Sequence, residues 1–317
     1  MAKVLVTGGA GFIGSHVVDR LLKEGKEVIV VDNFNEYYSP QRKRENIAHH
    51  ANNPNFTLAE GDVENFSFIA RLFDKYKIQQ VIHLAARAGV RPSIENPFIY
   101  NSTNLNGTLN VLELSRRQQV KSFVFASSSS VYGMTTKIPF VETDNVNQPV
   151  SPYAATKRAG ELLCFTYSHL HNLNLSCLRF FTVYGPRGRP DMAPYRFTDK
   201  IYRGQPITVF GDGRTARDYT YIYDIVDGIM VALDRSYKYE IFNLGNNQMI
   251  PLKQFIHITE GIIGKSAIIQ YEPPIAGDVE RTCADISKAQ RLLRYMPRTS
   301  VREGMQEFFE WYKEHEI

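Results

Sequence analysis

The sequence predicts an α/β fold, a doubly wound parallel sheet with a smaller C-terminal α/β region, and three observations carry that expectation. Lys3–Thr7 (KVLVT) and Glu27–Val31 (EVIVV) are short apolar runs with a helical pattern between them, and strand, helix and strand within about thirty residues make a parallel βαβ unit. The same beat recurs as far as Phe180, which argues for helices on both faces of one sheet. Beyond Gly185 it breaks into Pro- and Gly-rich turns. Residues 1–184 are therefore expected to form one domain and 185–317 a smaller second one, with the chain able to cross between them.

After the first βαβ unit the pattern predicts a strand at Phe56–Glu60, a helix at Phe66–Lys75, a strand at Gln80–Leu84 (QVIHL) and a helix at Thr103–Gln118. A strand at Ser122–Ala126 (SFVFA), a helix at Pro152–Leu170 and a strand at Leu175–Phe180 complete the first region. In the second, helices are expected near Ile222–Leu233, at Leu252–Ile263 and at Val301–His315.

Composition excludes several classes of function. With 43% hydrophobic and 22% charged residues in 317, the chain is neither disordered nor fibrous. Its 37 Lys and Arg against 33 Asp and Glu are scattered apart from Arg42-Lys43-Arg44, too few for a nucleic-acid footprint but suited to a small anionic ligand. Cys164, Cys177 and Cys283 lie far apart with no CxxC and no histidine at metal spacing, so neither a disulfide framework nor a zinc site is indicated, and a reducing cytoplasm fits. No run is long and apolar enough for a membrane span, and Met1-Ala2-Lys3 leads directly into a strand pattern, so no signal peptide is expected.

The first strand ends in Thr7-Gly8-Gly9-Ala10-Gly11-Phe12-Ile13-Gly14. Glycines at 8, 11 and 14 allow a tight turn, a close backbone approach to a pyrophosphate and close packing of helix on strand, while the helix start supplies amides and dipole. Asp32 closes the second strand where a carboxylate meets adenosine ribose hydroxyls, which makes this the Rossmann dinucleotide pattern. A carboxylate there repels a 2′-phosphate and favours NAD over NADP. Arg42-Lys43-Arg44 is expected to be a solvated face.

Tyr153 and Lys157 (YAATK) lie four apart at the start of a helix, so both side chains leave one face. A neighbouring ammonium and a positively charged nicotinamide both favour phenolate, which makes the pair an acid–base couple; an isolated YxxxK is as commonly a surface pair. Ser127-Ser128-Ser129-Ser130 comes directly after SFVFA, placing hydroxyls at the carboxyl edge of the sheet, where ligands bind and where loop polarity is equally common.

TGGAGFIG, Asp32-Asn33, Gly61-Asp62-Val63, His83-Leu84-Ala85-Ala86, SSSSVYG and SPYAATK, in this order and over essentially the whole chain, resemble the extended short-chain dehydrogenase/reductase family. RTARDYTYIYD (214–224) and Gly277-Asp278-Val279 resemble its nucleotide-sugar epimerase branch. The resemblance implies NAD held by Gly8, Gly11, Phe12, Ile13, Gly14, Asp32, Asn33, Asp62, Val63, Leu84, Ala85, Ala86, Arg87, Tyr153 and Lys157. It implies Ser128 as the hydroxyl that hydrogen-bonds the reacting sugar oxygen, with Ser127, Ser129 and Ser130 as further participants, and Tyr153 as the acid–base residue. It also implies Arg217 and Asp278 as contacts to the nucleotide diphosphate of a UDP-sugar, and a homodimer built through the helices at 103–118 and 152–170.

Members of that branch share oxidation at sugar C4 and differ in the fate of the 4-keto sugar. The dehydratases and decarboxylases resemble one another in a Glu just before the VYG segment; here Ser129 and Ser130 stand in that region, so no carboxyl group is available to drive elimination and 4-epimerisation is expected. YGPRGRPDMAPY (184–195) resembles the corresponding segment of UDP-glucuronate 4-epimerases. Arg189 falls where that resemblance places a carboxylate-binding Arg, and a planar guanidinium is the natural partner of a uronate carboxylate; Thr182 is expected as a second ligand. The alternatives are a UDP-glucose or UDP-N-acetylglucosamine 4-epimerase, a UDP-glucuronate decarboxylase, and a non-catalytic NAD-sensing protein. Arg187 and the Pro273–Ala276 segment, which lacks the Arg that many hexose epimerases place before GD, depart from the pattern.

Overall fold

The computed structural model describes residues 2–135, 137–273 and 279–317. Parallel strands buried on both faces read as unbroken apolar runs. Three of them do: β1 (Lys3–Thr7), β2 (Glu27–Asp32) and, after β3 (Phe56–Glu60), β4 (Gln80–His83), each buried along nearly its whole length. Between them run α1 (Phe12–Lys23), α2 (Pro40–Ala48) and α3 (Phe66–Tyr76). After β4 come two short helices that the periodicity does not predict, α4 (Val90–Glu95) and α5 (Pro97–Asn101), then α6 (Thr108–Gln118). The fully buried β5 (Ser122–Ser128) precedes α7 (Pro152–His171) and β6 (Leu175–Phe180). Helix α7 begins where its sequence says it should: Pro152 is in the first turn and the Ser151 side chain accepts from the Ala154 amide at 3.1 Å.

The helix expected over Thr103–Gln118 is regular only from Thr108. Residues Ser102–Gly107 form a π-helical turn, one residue wider than an α turn. Its cause is local: the widened turn carries Asn104 inward, where the side chain donates to the Arg87 carbonyl and to Thr156 Oγ1, both at 3.0 Å, and accepts from the Arg87 amide at 2.8 Å.

The remaining elements are β7 (Thr182–Tyr184), α8 (Ala193–Tyr202), β8 (Pro206–Phe210), β9 (Ala216–Tyr221) and α9 (Ile222–Arg235). Then come β10 (Tyr239–Leu244), β11 (Met249–Pro251), α10 (Leu252–Ile263), β12 (Ile268–Glu272), α11 (Ser287–Leu293) and α12 (Val301–Glu316). Among the described residues, seven strands make one sheet in the order β10-β6-β5-β4-β1-β2-β3, and β5, β4, β1, β2 and β3 pair parallel. The order reverses beside β1, which is the topological switch point of a doubly wound sheet.

The chain divides into two units. The first comprises residues 1–134, 142–179 and 226–242, the second 135–141, 180–225 and 243–317. In the first, Leu5, Ile29, Val81, Phe123 and Leu175 are wholly buried and pack with Ile69, Phe73, Val111 and Leu112 from the helices. Each such side chain contributes about 1.5–3 kcal/mol of burial. The second holds a three-stranded sheet, β11-β9-β7, and the parallel pair β12-β8. Among the described residues, no helix is long and apolar enough to cross a membrane.

Candidate active site

Strand β1 leads into the glycine turn at the switch point. Gly8 has φ +68°, and a Cβ there would sit 2.8 Å from the Ala85 amide nitrogen; one on Gly14 would collide with the Gly8 carbonyl oxygen. Only glycine lets β1, α1 and the end of β4 come this close. Gly11 caps α1 with no side chain to satisfy its amides, and the first turn, Phe12-Ile13-Gly14, carries no acidic residue. Free amides and the positive end of the helix dipole at such a start suit an anion.

Asp32 stands at the end of β2, buried. Its carboxylate accepts from the Ala10 amide at 3.1 Å and the Phe34 amide at 2.9 Å. Burial pushes its pKa up, against the opposing pull of the Phe34 amide, Lys43 and the Ala10 amide. Asn33 donates to Asp62 at 2.7 Å, and Asp62 also accepts from the Glu64 amide, which fixes the loop through Val63. Of the basic run expected on a solvated face, Arg44 is exposed and Lys43 is not. Lys43 is buried and donates to the Asn35 carbonyl at 2.6 Å, and Arg44 pairs with Glu60 at 2.8 and 3.0 Å while lying over the Phe34 ring.

Beneath the loop after β4 a hydrogen-bond chain fixes a histidine. The Thr108 hydroxyl donates its proton to the Asn104 carbonyl at 2.6 Å, so its oxygen accepts from His83 Nε2 at 3.0 Å. His83 Nδ1 then accepts from the Thr7 hydroxyl at 2.7 Å, whose oxygen accepts from the Ala85 amide at 3.2 Å. Burial first, and Lys157 second, pull the imidazole pKa down to about 3, so it is neutral with its proton on Nε2. The result is a rigid floor under Leu84-Ala85-Ala86-Arg87. Arg87 Nε is buried with no hydrogen-bond partner among the described residues, an orphaned donor in the loop where the dinucleotide is expected.

Tyr153 and Lys157 leave one face of α7, with Lys157 Nζ 5.9 Å from the centre of the Tyr153 ring. The ammonium is buried and donates to the Ala126 carbonyl of β5 at 2.8 Å. Desolvation pulls its pKa down to about 8. Tyr100 packs edge-on against Tyr153, 6.3 Å between ring centres.

The serine run separates by strand alternation, since successive residues of β5 face opposite sides. Ser127 turns into the interior and donates to Glu161 at 2.6 Å. Glu161 also accepts from buried Arg179 at 2.8 and 2.9 Å and from Arg158 at 3.0 Å. Ser128 caps a short 3-10 turn, Ser129–Tyr132, accepting from the Ser130 amide at 3.1 Å and donating to the Ser130 hydroxyl. Asn104, Glu161 and Arg179 belong to none of the sequence motifs, and a polar residue inside an apolar helix or strand pattern is the signal that marks them; Thr156 lies inside SPYAATK without being singled out there.

Thr182, Arg189 and Arg217 belong to the second unit. Thr182 opens β7 opposite Tyr219 of β9. Arg189 precedes α8 and holds Asp191 with two parallel hydrogen bonds, Nε to Oδ1 at 3.0 Å and Nη2 to Oδ2 at 2.6 Å. Arg217 donates to the carbonyls of Ala216 and Glu280 at 3.0 and 3.1 Å. Next to it, buried Asp218 accepts from the amides of Asn246, Ala284 and Asn247 at 2.7, 3.0 and 3.1 Å; burial raises its pKa to about 6 against the pull of those bonds. Asp278 lies outside the described residues.

The fold and the first unit's site are those of a dinucleotide-dependent enzyme with a Tyr–Lys pair. Residues 4–245 match the NAD-dependent epimerase/dehydratase family, and the chain belongs to that family. It is 48% identical to the UDP-glucuronate 4-epimerase of Thermodesulfobacterium geofontis over 316 residues, covering 99% of this chain and 97% of that protein. Its structure resembles the UDP-glucuronic acid 4-epimerase of Bacillus cereus, solved with UDP-glucuronic acid and NAD, with a TM-score of 0.93 and 36% identity over 98% of this chain and 99% of that one. It also resembles the UDP-glucose 4-epimerase of Thermotoga maritima, solved with UDP-glucose, with a TM-score of 0.91 and 34% identity over 99% and 100% of the two chains.

Proposed function

We propose that the protein interconverts UDP-glucuronate and UDP-galacturonate by 4-epimerisation, with NAD retained throughout. The observation that carries the reaction type is the turn after β5, which presents hydroxyls at Ser128, Ser129 and Ser130 and no carboxylate. The Gly8–Gly14 turn, Asp32 and the orphaned Arg87 donor fit a dinucleotide, and Lys43 and Arg44, already tied to Asn35 and Glu60, leave Asp32 to select NAD over NADP. Held there, NAD would supply the hydride acceptor for oxidation at sugar C4 and the donor for its reversal.

Tyr153 removes the proton of the sugar 4-OH as C4 is oxidised, and gives it back after the ketone has turned its other face. The Lys157 ammonium stabilises negative charge developing on the Tyr153 oxygen, and its bond to the Ala126 carbonyl holds it there. Ser128 hydrogen-bonds the reacting oxygen, with Ser129 beside it, while Ser127 braces the strand through Glu161. Arg189 and Thr182 hold the uronate carboxylate, and Arg217 the diphosphate. The two-point grip that Arg189 has on Asp191 is the geometry a C6 carboxylate needs. Holding that carboxylate also keeps the C5–C6 bond out of line with the C4 carbonyl π system, which suppresses loss of CO₂ from a β-keto acid.

The protein acts as a cytoplasmic homodimer. Leu162 and Phe165 on α7, Leu109 on α6 and Phe98 on α5 are large exposed apolar side chains, Phe98 at 84%. Incubation of purified protein with UDP-glucuronate and no added NAD, followed by proton NMR of the sugar H4, tests the assignment. The galacturonate signal is expected. Turnover of UDP-glucose alone would make the protein a neutral hexose epimerase, and UDP-pentose as the sole product would make it a decarboxylase.

A further inference from the structure

One side chain of α1 and two from the turn that follows α2 converge. The chain leaves α2 through His49 and His50, and both Nε2 atoms lie against one carboxylate oxygen, Oδ1 of Asp19 on α1, at 3.0 and 2.7 Å. All three donor atoms lie within 4.8 Å of one another. The imidazole rings sit 3.9 Å apart, and His50 is steadied by the Phe56 ring at 5.6 Å. Their side chains are 48% (His49), 12% (His50) and 29% (Asp19) exposed, so the cluster opens to solvent along one side.

We propose that Asp19, His49 and His50 form a binding site for a divalent transition-metal ion of the zinc, cobalt or nickel class. Two imidazole nitrogens and one carboxylate oxygen are a borderline donor set; magnesium and calcium take oxygen ligands in larger number. A tetrahedral ion with bonds of about 2.0–2.1 Å sets its ligand atoms roughly 3.3 Å apart. The nitrogen–oxygen separations of 3.0 and 2.7 Å therefore need to widen by only a few tenths of an ångström. Each ring passes its Nε2 proton to Nδ1 through solvent as the ion enters, and water takes the fourth position. No spacing rule would find this site: the histidines are adjacent, and the third ligand stands 30 residues earlier, which is why the sequence pattern indicates no metal.

The ion would staple α2 to α1. Asn46 on α2 donates to the Ala10 carbonyl at 3.0 Å, and the Ala10 amide donates to Asp32, so the staple braces the wall that carries the ribose-binding carboxylate. The site stands independently of which sugar the protein turns over.

The test uses tag-free, chelator-stripped full-length protein, with zinc titrated against a chromophoric chelator and cobalt(II) followed by its visible d–d absorption. One zinc per chain is expected, with Tm rising by roughly 4 °C at zinc about a hundredfold above Kd. His49→Ala should weaken zinc at least about tenfold and abolish the tetrahedral cobalt bands while leaving the metal-free Tm unchanged, since His49 is half-exposed. Asp19→Asn should weaken binding in the same way. Absence of saturable binding, or binding undiminished in both variants, would overturn the proposal.

Discussion

Arg189 grips Asp191 through a two-point guanidinium–carboxylate pair within one loop, at 3.0 and 2.6 Å. The arginine assigned to the uronate thus already holds a carboxylate of its own, and the substrate must take its place. A partly exposed pair of this kind is worth about 0.2–1 kcal/mol, so Asp191→Asn is expected to lower KM for UDP-glucuronate by roughly 1.5- to 5-fold with little change in kcat. A raised KM would mean that Asp191 orients Arg189 for the substrate instead of competing with it.

Arg189→Ala removes charge-assisted hydrogen bonds worth about 1.5–3 kcal/mol, which corresponds to a loss of about 10- to 100-fold in kcat/KM. The same variant should release UDP-pentose, because the unheld carboxylate can align with the C4 carbonyl. Product analysis by NMR reads both effects.

Tyr153→Phe keeps the ring that packs on Tyr100 and loses only the hydroxyl. Turnover should fall by about 10²–10⁴-fold, the usual worth of a positioned acid–base group. NAD content, read from absorbance and release on denaturation, should stay at the wild-type level.

The Lys157 ammonium, pulled down to about 8 by burial, is charged below that pH and neutral above it. Its help to Tyr153 is therefore present at neutral pH and lost as pH rises through about 8, and kcat should fall on that limb. A profile flat to pH 10 would remove Lys157 from the mechanism.

Glu161 sits among Ser127, Arg158 and Arg179 with no solvent contact. Burial pushes its carboxyl up, and its bonds to Arg179, Ser127 and Arg158 outweigh that and hold it below the usual range. Glu161→Ala leaves the Arg179 guanidinium buried without its partner, which costs about 3–5 kcal/mol in denaturant unfolding.

Six of the seven strands of the sheet are readable, the central ones because they are two-face buried: runs such as KVLVT and LSCLRF announce themselves, and the observed ends differ from the expected ones by at most two residues, whereas β10 stands where the sequence pattern predicts no strand. The Gly8–Gly14 turn, Asp32, Ser128, Tyr153 and Lys157 are readable because each sits at a fixed offset from such an element. Residues outside the pattern depend on partners distant in the chain. Lys43 looks like one of three surface cations until Asn35 folds over it, and Ser127 is indistinguishable from Ser128 until Glu161, 34 residues on, takes its hydroxyl. The helices α4 and α5 are too short for periodicity to reveal.

The π-helical turn at Ser102–Gly107 bears on how this chain tolerates change in length. It amounts to a phase slip, one residue of surplus between two stretches of a single helix. A chain one residue shorter there would wind as a regular helix and rotate Asn104 by about 100°. The backbone amide and carbonyl of Arg87 would then lose their Asn104 side-chain partner and Thr156 its link, with no change in charge pattern to mark the loss. Deletions in this segment should be far less tolerated than substitutions on its exposed side.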